Sequence, residues 1–455
     1  MKQIWTLFFL FGSVFRLAGQ EQTLTVGIVI DTVKCKANEK QSYALYLPKD
    51  YSRGSTWPVV FFYDPAARGN LPVNQYRSIA EKYQCILVGS NNSRNGPLNV
   101  TQEAEQAMLR DVENRFSIDK GRLFISGFSG GARASVYMAM QRKIYAGIIA
   151  CGAAFPVIGK LSKENIPFIE VVGNRDMNFT EAIQTEDYLT GINYPHALLL
   201  FQGTHAWPPP ETYDQAIFWQ LFRVKPPSKS LAISYDSSIV TKAKQEIASG
   251  QLWLAHWNLK NVISFSLKVD SLKKSISSKP MFVKQQKSFV KVLQNENDIV
   301  TQIYERLGRL SYAKHDSVFK ESEWKSMLMG VKKYGKSDNI LEVDMSERIV
   351  QQVTIACFEN YKQQLKLKNY FQSSLAARVL VLVQPEPNSY VMLARSYAKI
   401  DRRNAAVQAL SKAAELGLSD KSVLKSNDFS MLVSEKKFNA VVQQVELNAK
   451  KVIGH

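Results

Sequence analysis

Between residues 22 and 223 the sequence alternates short apolar or β-branched runs with longer segments whose apolar residues recur at helical spacing, and this alternation constrains the fold more than any other feature. Strands are expected near 24–31, 42–47, 58–63, 85–90, 122–126, 146–151, 167–172 and 197–202. Helices are expected near 73–83, 101–115, 131–141, 180–190 and 211–223. Runs such as PVVFFY and AGIIACG are apolar throughout, so both faces of each strand must be covered. With helices between them, the strands predict a mostly parallel sheet layered on both sides, an α/β fold.

The character changes after residue 223. RVKPPSKS, residues 223–230, joins adjacent prolines to Lys and Ser and predicts a linker over 224–233. Beyond it, segments such as SIVTKAKQEIASGQLWLAHWNLK keep helical spacing with few strand runs, which predicts an all-α domain over 234–455. At 455 residues the chain is long enough for two cores. Within the helical half, residues 387–420 carry Tyr390, Leu393, Ala394, Tyr397, Ala406, Leu410 and Ala413 at the spacings of a 34-residue tetratricopeptide repeat. The closing proline of that pattern falls on Leu418. Residues 349–384 fit two packed helices but match only at Ala376, Leu380 and Val383. Such a module is either a groove for a protein partner or a packing unit without a ligand, and both readings stay open.

Residues 1–20 contain Lys2, an apolar stretch from Ile4 to Phe15 and small residues at Ala18 and Gly19, the grammar of a cleaved signal peptide. The apolar stretch is too short to span a bilayer, so an exported, periplasmic or extracellular protein without a stable membrane span is expected. The net charge is +18, and almost all of the basic excess falls after residue 223. Its lysines are scattered along helical segments without interleaved aromatics, which predicts a solvated helix surface and no nucleic-acid partner. Cys35, Cys85, Cys151 and Cys357 show no metal-binding spacing, and Cys85 and Cys151 lie inside strand-like runs as buried thiols. No metal or other cofactor is called for.

The chemistry centres on Gly127-Phe128-Ser129-Gly130-Gly131, a G-x-S-x-G pattern between the strand-like RLFIS and the helix-like ARASVYMAM. A sharp strand-to-helix turn strains the serine and needs small neighbours, and it lifts the hydroxyl above the carboxyl edge of the sheet. The Gly130 N–H, at the start of the helix, faces a developing oxyanion. A serine becomes a nucleophile only with a base to take its proton and an acid to orient the base. FIEVVGNRDMNF places Asp176 in the loop after the seventh strand, and LLLFQGTHAWPP places His205 in the loop after the eighth. Glu170 lies mid-strand, His196 at the opposite sheet edge, and His256, His315 and His455 in the helical half. Asp111 and Asp119 flank the entry to the fifth strand, where capping or salt-bridging is expected.

The order Ser129, Asp176, His205 resembles that of the α/β hydrolases, and residues 40–223 are similar to that superfamily. GFSGGAR, the GNRD loop and GTHAW most resemble exported esterases related to feruloyl esterases, polyhydroxybutyrate depolymerases and dienelactone hydrolases. The resemblance implies an α/β-hydrolase catalytic domain over 21–223, with Ser129 as nucleophile, His205 as base and then acid, and Asp176 as the group that orients the imidazole. It departs from many relatives after the third strand, where Tyr63-Asp64-Pro65-Ala66-Ala67-Arg68-Gly69 replaces a glycine-rich run. Pro65 has no N–H, so the second oxyanion donor has to be Ala66 or, failing that, a neighbour. Asp64 holds either the loop or a substrate hydroxyl. In GSNNSRNGP, Asn92 and Arg94 either bind a polar acyl or sugar group or simply form a turn. Trp207 either stacks on substrate or packs the histidine loop. About a dozen residues, Pro156 to Pro167, separate the sixth and seventh strands, too few for a lid domain, and an open cleft suits an ester on a bulky or polymeric carrier. Three functions fit: an ester hydrolase working through an acyl-enzyme, a serine peptidase of the same fold, and a non-catalytic scaffold acting through its helical half.

Overall fold

In the computed structural model, which describes residues 24–153, 166–261 and 267–453, the N-terminal half is built on one eight-stranded sheet. The strands are β1 (Val29–Cys35), β2 (Asn38–Tyr46), β3 (Trp57–Tyr63), β4 (Ile86–Ser90), β5 (Ile118–Phe128), β6 (Gly147–Cys151), β7 (Phe168–Gly173) and β8 (His196–Phe201). Their order across the sheet is β1-β2-β4-β3-β5-β6-β7-β8. All neighbours from β4 to β8 pair in parallel, while β1–β2 and β2–β4 are antiparallel. This is the α/β-hydrolase architecture expected from the alternation of apolar runs. The fully apolar runs lie where expected, since β3, β4, β6 and β7 are buried along their whole length.

The first strand differs from expectation. Residues 24–28 form a turn in which Gly27, at φ +74°, donates its N–H to Leu47 O at 2.8 Å. The strand therefore begins at Val29 and continues into a hairpin through the polar VKCKANEK, which apolarity alone does not mark because one face of this edge pair is exposed.

Helices α1 (Asn70–Gln75), α2 (Arg77–Tyr83) and α6 (Pro210–Val224) cover one face, while α3 (Leu98–Arg115) and α4 (Gly130–Arg142) cover the other. Helix α5 (Phe179–Gly191) follows β7. The second half continues as α7 (Lys229–Ala248), α8 (Leu252–Asn261), α9 (Leu267–Ser277), α10 (Pro280–Ser311), α11 (Glu321–Tyr334), α12 (Ile340–Lys366), α13 (Tyr370–Val383), α14 (Pro387–Lys399), α15 (Arg403–Glu415), α16 (Lys421–Leu424) and α17 (Lys436–Ile453). The 387–420 stretch folds as the α14–α15 pair, with Leu393, Ala394, Ala406, Leu410 and Ala413 buried. The expected signal peptide (1–20), most of the 156–167 connection and His455 lie outside the described residues.

The expectation of a linker over 224–233 and of two separate cores is corrected. Only residues 225–228 lie between α6 and α7, and the Ser228 hydroxyl caps α7 by accepting from Leu231 N at 3.3 Å. Adjacent prolines end α6 without producing a long connection. Tyr235 of α7 stacks on Phe218 of α6 with ring centroids 3.5 Å apart. Ile239, Ala243, Leu252 and Leu259 join the same core as α6 and the sheet.

The open edge of the sheet is closed by the second half as well. Asn258 of α8 accepts from Leu200 N at 2.9 Å and donates to Leu200 O at 3.0 Å, and Trp257 Nε1 donates to Leu198 O at 3.2 Å. These side chains take the hydrogen-bonding place of a ninth strand along β8. Beneath them, Val172, Phe179, Leu198 and Leu200 pack into one cluster with Trp253, Leu254 and Phe289.

Two outcomes follow from this shared core. A chain cut after Val224 exposes both the β8 edge and the Phe218 face, so it is expected to be insoluble or to lack a cooperative melting transition by circular dichroism. Asn258→Leu leaves the buried Leu200 N–H unpaired and Leu200 O with only Lys242 Nζ at 3.4 Å, and an unpaired buried group costs about 1–3 kcal/mol, so urea unfolding should read a loss of about 1–3 kcal/mol.

Candidate active site

The turn from β5 into α4 is tight because the two backbones nearly touch. A methyl group on Gly131 would collide with Tyr63 O of β3, and one on Gly127 with Gly131 itself, so neither position accepts a side chain. Between them Ser129 has φ +52°, ψ −122°, a conformation that costs a non-glycine residue about 1–3 kcal/mol. Its N–H donates to Cys151 O at 2.8 Å, which ties the turn to the end of β6.

The three side chains expected from the sequence come together. Ser129 Oγ lies 2.9 Å from His205 Nε2, and His205 Nδ1 lies 2.9 Å from each carboxylate oxygen of Asp176. Asp176 is fully buried, and its Oδ1 also accepts from Asn178 N at 2.8 Å. The imidazole packs on Phe128 with ring centroids 4.6 Å apart. With Nδ1 held by a buried carboxylate, Nε2 faces the Ser129 hydroxyl at hydrogen-bond distance, the geometry that proton transfer from a serine to a histidine requires. The Gly130 N–H, at the first position of α4, has no acceptor within its own helix and borders the serine.

Of the other expected site residues, Ala66 departs from expectation, while for Asp64, Trp207 and Asn92 the contacts select the loop-holding alternative over substrate binding. Ala66 N–H donates to Asp64 Oδ1 at 2.8 Å and is therefore engaged within its own loop instead of standing free as a second oxyanion donor. Asp64 is fully buried; besides Ala66 it accepts Arg68 Nε at 2.9 Å, Arg68 Nη2 at 3.0 Å and Trp207 Nε1 at 2.9 Å. It thus pins the β3 loop to the histidine loop and offers nothing to a substrate hydroxyl. Trp207 is buried among Phe62, Tyr76 and Phe128, so it packs the histidine loop and presents no stacking surface. Asn92 accepts from Ser42 N at 2.8 Å and donates to Lys40 O at 3.1 Å, which ties its turn to β2.

Arg94 is exposed and lines a cavity of about 300 Å³ beside Gly130, together with Asn95, Leu98, Arg133 and Tyr137. The Asn95 carboxamide lies against Gly130, the residue after the serine.

Gly152 and Asn178 belong to the site and were not singled out from the sequence. Gly152 has φ +61°, and a methyl group there would lie 3.0 Å from Asp176 Oδ2 and 3.3 Å from His205 Nδ1. Asn178 Nδ2 donates to Gly152 O at 2.7 Å. The only signal for Gly152 was a glycine directly after the sixth apolar run. The competing residues stand apart. Glu170 is buried mid-strand with both oxygens unpaired, and burial holds its carboxyl well above the usual carboxylate range. His196, at the start of β8, bonds Tyr194 O at 2.7 Å and Glu186 at 3.1 Å. Asp111 accepts Tyr43 OH and Arg115, and Asp119 accepts Gly121 N and Arg122. All four cysteines are free and buried.

The far side of the acid loop, residues 174–178, meets α12. Asn174 Nδ2 donates to Asp344 Oδ2 at 2.8 Å, and Arg348 Nη1 donates to Asn174 O at 2.7 Å. Gln351 and Gln352 donate to Arg175 O and Met177 O, each at 2.9 Å. Nothing in the sequence pattern announces these contacts, which join residues about 170 positions apart.

Ser129, His205 and Asp176 thus stand hydrogen-bonded in a row at the carboxyl edge of a mostly parallel eight-stranded sheet. No family model matches the chain, and no curated protein matches it either. Among solved structures, a ferulic acid esterase is similar at 14% identity, with 43% of this chain and 96% of that chain covered and a TM-score of 0.36. An S-formylglutathione hydrolase from Staphylococcus aureus is 16% identical, covering 40% and 90% of the two chains, with a TM-score of 0.34. A ferulic acid esterase from Anaeromyces mucronatus is 20% identical, covering 41% and 88%, with a TM-score of 0.32.

Asp344 supplies a pH prediction. Burial raises its carboxyl to about 6, against the opposing pull of Arg348. A raised carboxyl is protonated in the fold while ionised in the unfolded chain, so its contribution to stability is lost as pH rises from about 4 to about 6. The loss amounts to about 3 kcal/mol above that window. Asp344→Asn keeps an acceptor for Asn174 without the charge, so its melting temperature relative to the wild type should climb between pH 4 and 6 and then level off.

Proposed function

We propose that this protein is a serine hydrolase that cleaves carboxylic esters through an acyl-enzyme. The observation that carries the reading is the unbroken hydrogen-bond relay from Ser129 through His205 to the buried Asp176, built on a strained turn at the sheet edge. In this reading His205 Nε2 takes the Ser129 proton as Oγ attacks the ester carbonyl. Gly130 N–H hydrogen-bonds the oxyanion, and the imidazolium, held by Asp176, gives its proton to the departing alcohol. Water then enters, His205 acts again as base, and the acid is released from Ser129. Each half of the cycle returns the histidine to its neutral form.

The cavity beside Gly130 is the site proposed for the larger part of the substrate. Leu98 and Tyr137 offer apolar surface, and Arg94 and Asn95 offer polar groups, a mixture suited to an ester on a bulky or polymeric carrier. Export to the periplasm or the exterior belongs to the same proposal and is supported by the signal-like grammar of residues 1–20. The mature N-terminus, read by mass spectrometry, tests it.

Ser129→Ala is expected to abolish labelling by a fluorophosphonate probe and to lower hydrolysis of acetyl, butyryl, feruloyl and polyester substrates by about 10⁴-fold or more. A wild-type chain that neither labels nor hydrolyses any of these esters would overturn the reading. Faster cleavage of a matched amide than of the ester would make it a peptidase.

A further inference from the structure

The acid loop is held from two sides with a clear division of labour. Its N–H groups are taken by the sheet domain: Asn174 N donates to Phe201 O, Arg175 N to Gly203 O, and Asp176 N to Gly173 O, at 2.9–3.0 Å. Three of its carbonyls, those of Asn174, Arg175 and Met177, are taken by side chains of one helix in the other half of the chain. The donors Arg348, Gln351 and Gln352 stand at i, i+3 and i+4, and Asp344 one turn earlier holds the Asn174 carboxamide, so a single face of α12 meets the whole loop.

That face is itself rigid. The Arg348 guanidinium is 3% exposed, donates to both oxygens of a Glu296 on α10 that is 1% exposed, and lies over the Phe179 ring with its carbon 4.5 Å from the centroid. Phe179 is the first residue of α5, directly after the acid loop.

We infer that α12 is a brace for the acid loop: the helical half sets where Asp176 stands relative to His205, with Arg348, Gln351 and Gln352 as positioning residues. This rests on the serine-hydrolase reading only for its catalytic consequence, since the placement of the loop is a matter of structure. A carboxylate displaced by about 1 Å no longer orients the imidazole, and misplacements of that size cost up to about 100-fold in rate. The helical half is then part of the catalytic unit instead of an appended docking module.

The decisive variant is the double substitution Gln351→Ala and Gln352→Ala. Both side chains are only partly buried and lie outside the core, so the fold survives their loss. Hydrogen exchange of the amides in 174–178 should be faster than in the wild type. Fluorophosphonate labelling and kcat should fall about 10-fold with KM within about twofold. The acidic limb of the kcat/KM profile should move to lower pH, because a more distant carboxylate favours the imidazolium less. Arg348→Lys should retain more activity than Arg348→Met. Asn360→Ala, on the same helix but bonded to Ser311, should lower the melting temperature at most and leave the pH profile in place. Unchanged loop exchange in the double variant, or faster exchange with kcat and the pH profile unmoved, would overturn the brace. A wild type inert toward probe and esters defeats the serine-hydrolase reading instead, and the brace is then decided by loop exchange alone.

Discussion

A parallel sheet must end somewhere, and its last strand carries a row of N–H and C=O groups with no partner. In this chain that strand is β8, between the loop that holds Asp176 and the loop that holds His205, so the way its edge is closed governs everything above it. The closure is made by side chains of α8, with Asn258 bonding both backbone groups of Leu200. Once α8 is fixed there, α10 and α12 follow against α5 and the end of β7, and the buried Arg348–Glu296 pair comes to rest under the acid loop. Such a pair is costly to bury and more costly to break, at about 3–5 kcal/mol for loss of one partner. Its hydrogen bond to Asn174 O turns that cost into a fixed position for the loop.

The rest of the site relies on similarly local compromises. Ser129 is strained and is kept so because Gly127, Gly131 and Tyr63 O leave no room for another path of the chain. Asp64, fully buried with four N–H donors around it, links the β3 loop to Trp207 and so to the histidine loop. The loop of Asp176, the loop of His205 and the turn of Ser129 are thus held by Arg348, Asp64 and Gly131 respectively, none of which belongs to the relay.

Much of this was legible in the sequence, and the reasons are specific. Apolar runs such as PVVFFY have one stable setting, a strand covered on both faces, so β3 to β8 were readable to within a few residues. The G-x-S-x-G turn and the loops carrying Asp176 and His205 were readable because each follows such a run. The β1–β2 hairpin was less so, because one face is exposed and its residues are polar. The boundary near 224–233 was misread because adjacent prolines mark the end of a helix equally well whether a linker or another helix follows. Asp64, Trp207 and Asn92 were open in the sequence because a side chain near a site can serve the substrate or the loop, and only its partners tell which; Ala66 was misread because nothing local shows that its N–H is taken by Asp64.

The succession of strands and helices along the chain, the strained serine turn and the identity of the three relay residues were therefore determined by local pattern: periodicity and turn chemistry act over a few residues and leave their mark there. The joining of the two halves into one core, the closing of β8 by Asn258, the occupation of the Ala66 N–H by Asp64 and the grip of α12 on the acid loop were decided only in three dimensions. Each depends on a hydrogen bond or packed face between residues far apart in the chain, where no spacing rule links one side chain to the carbonyl it will meet.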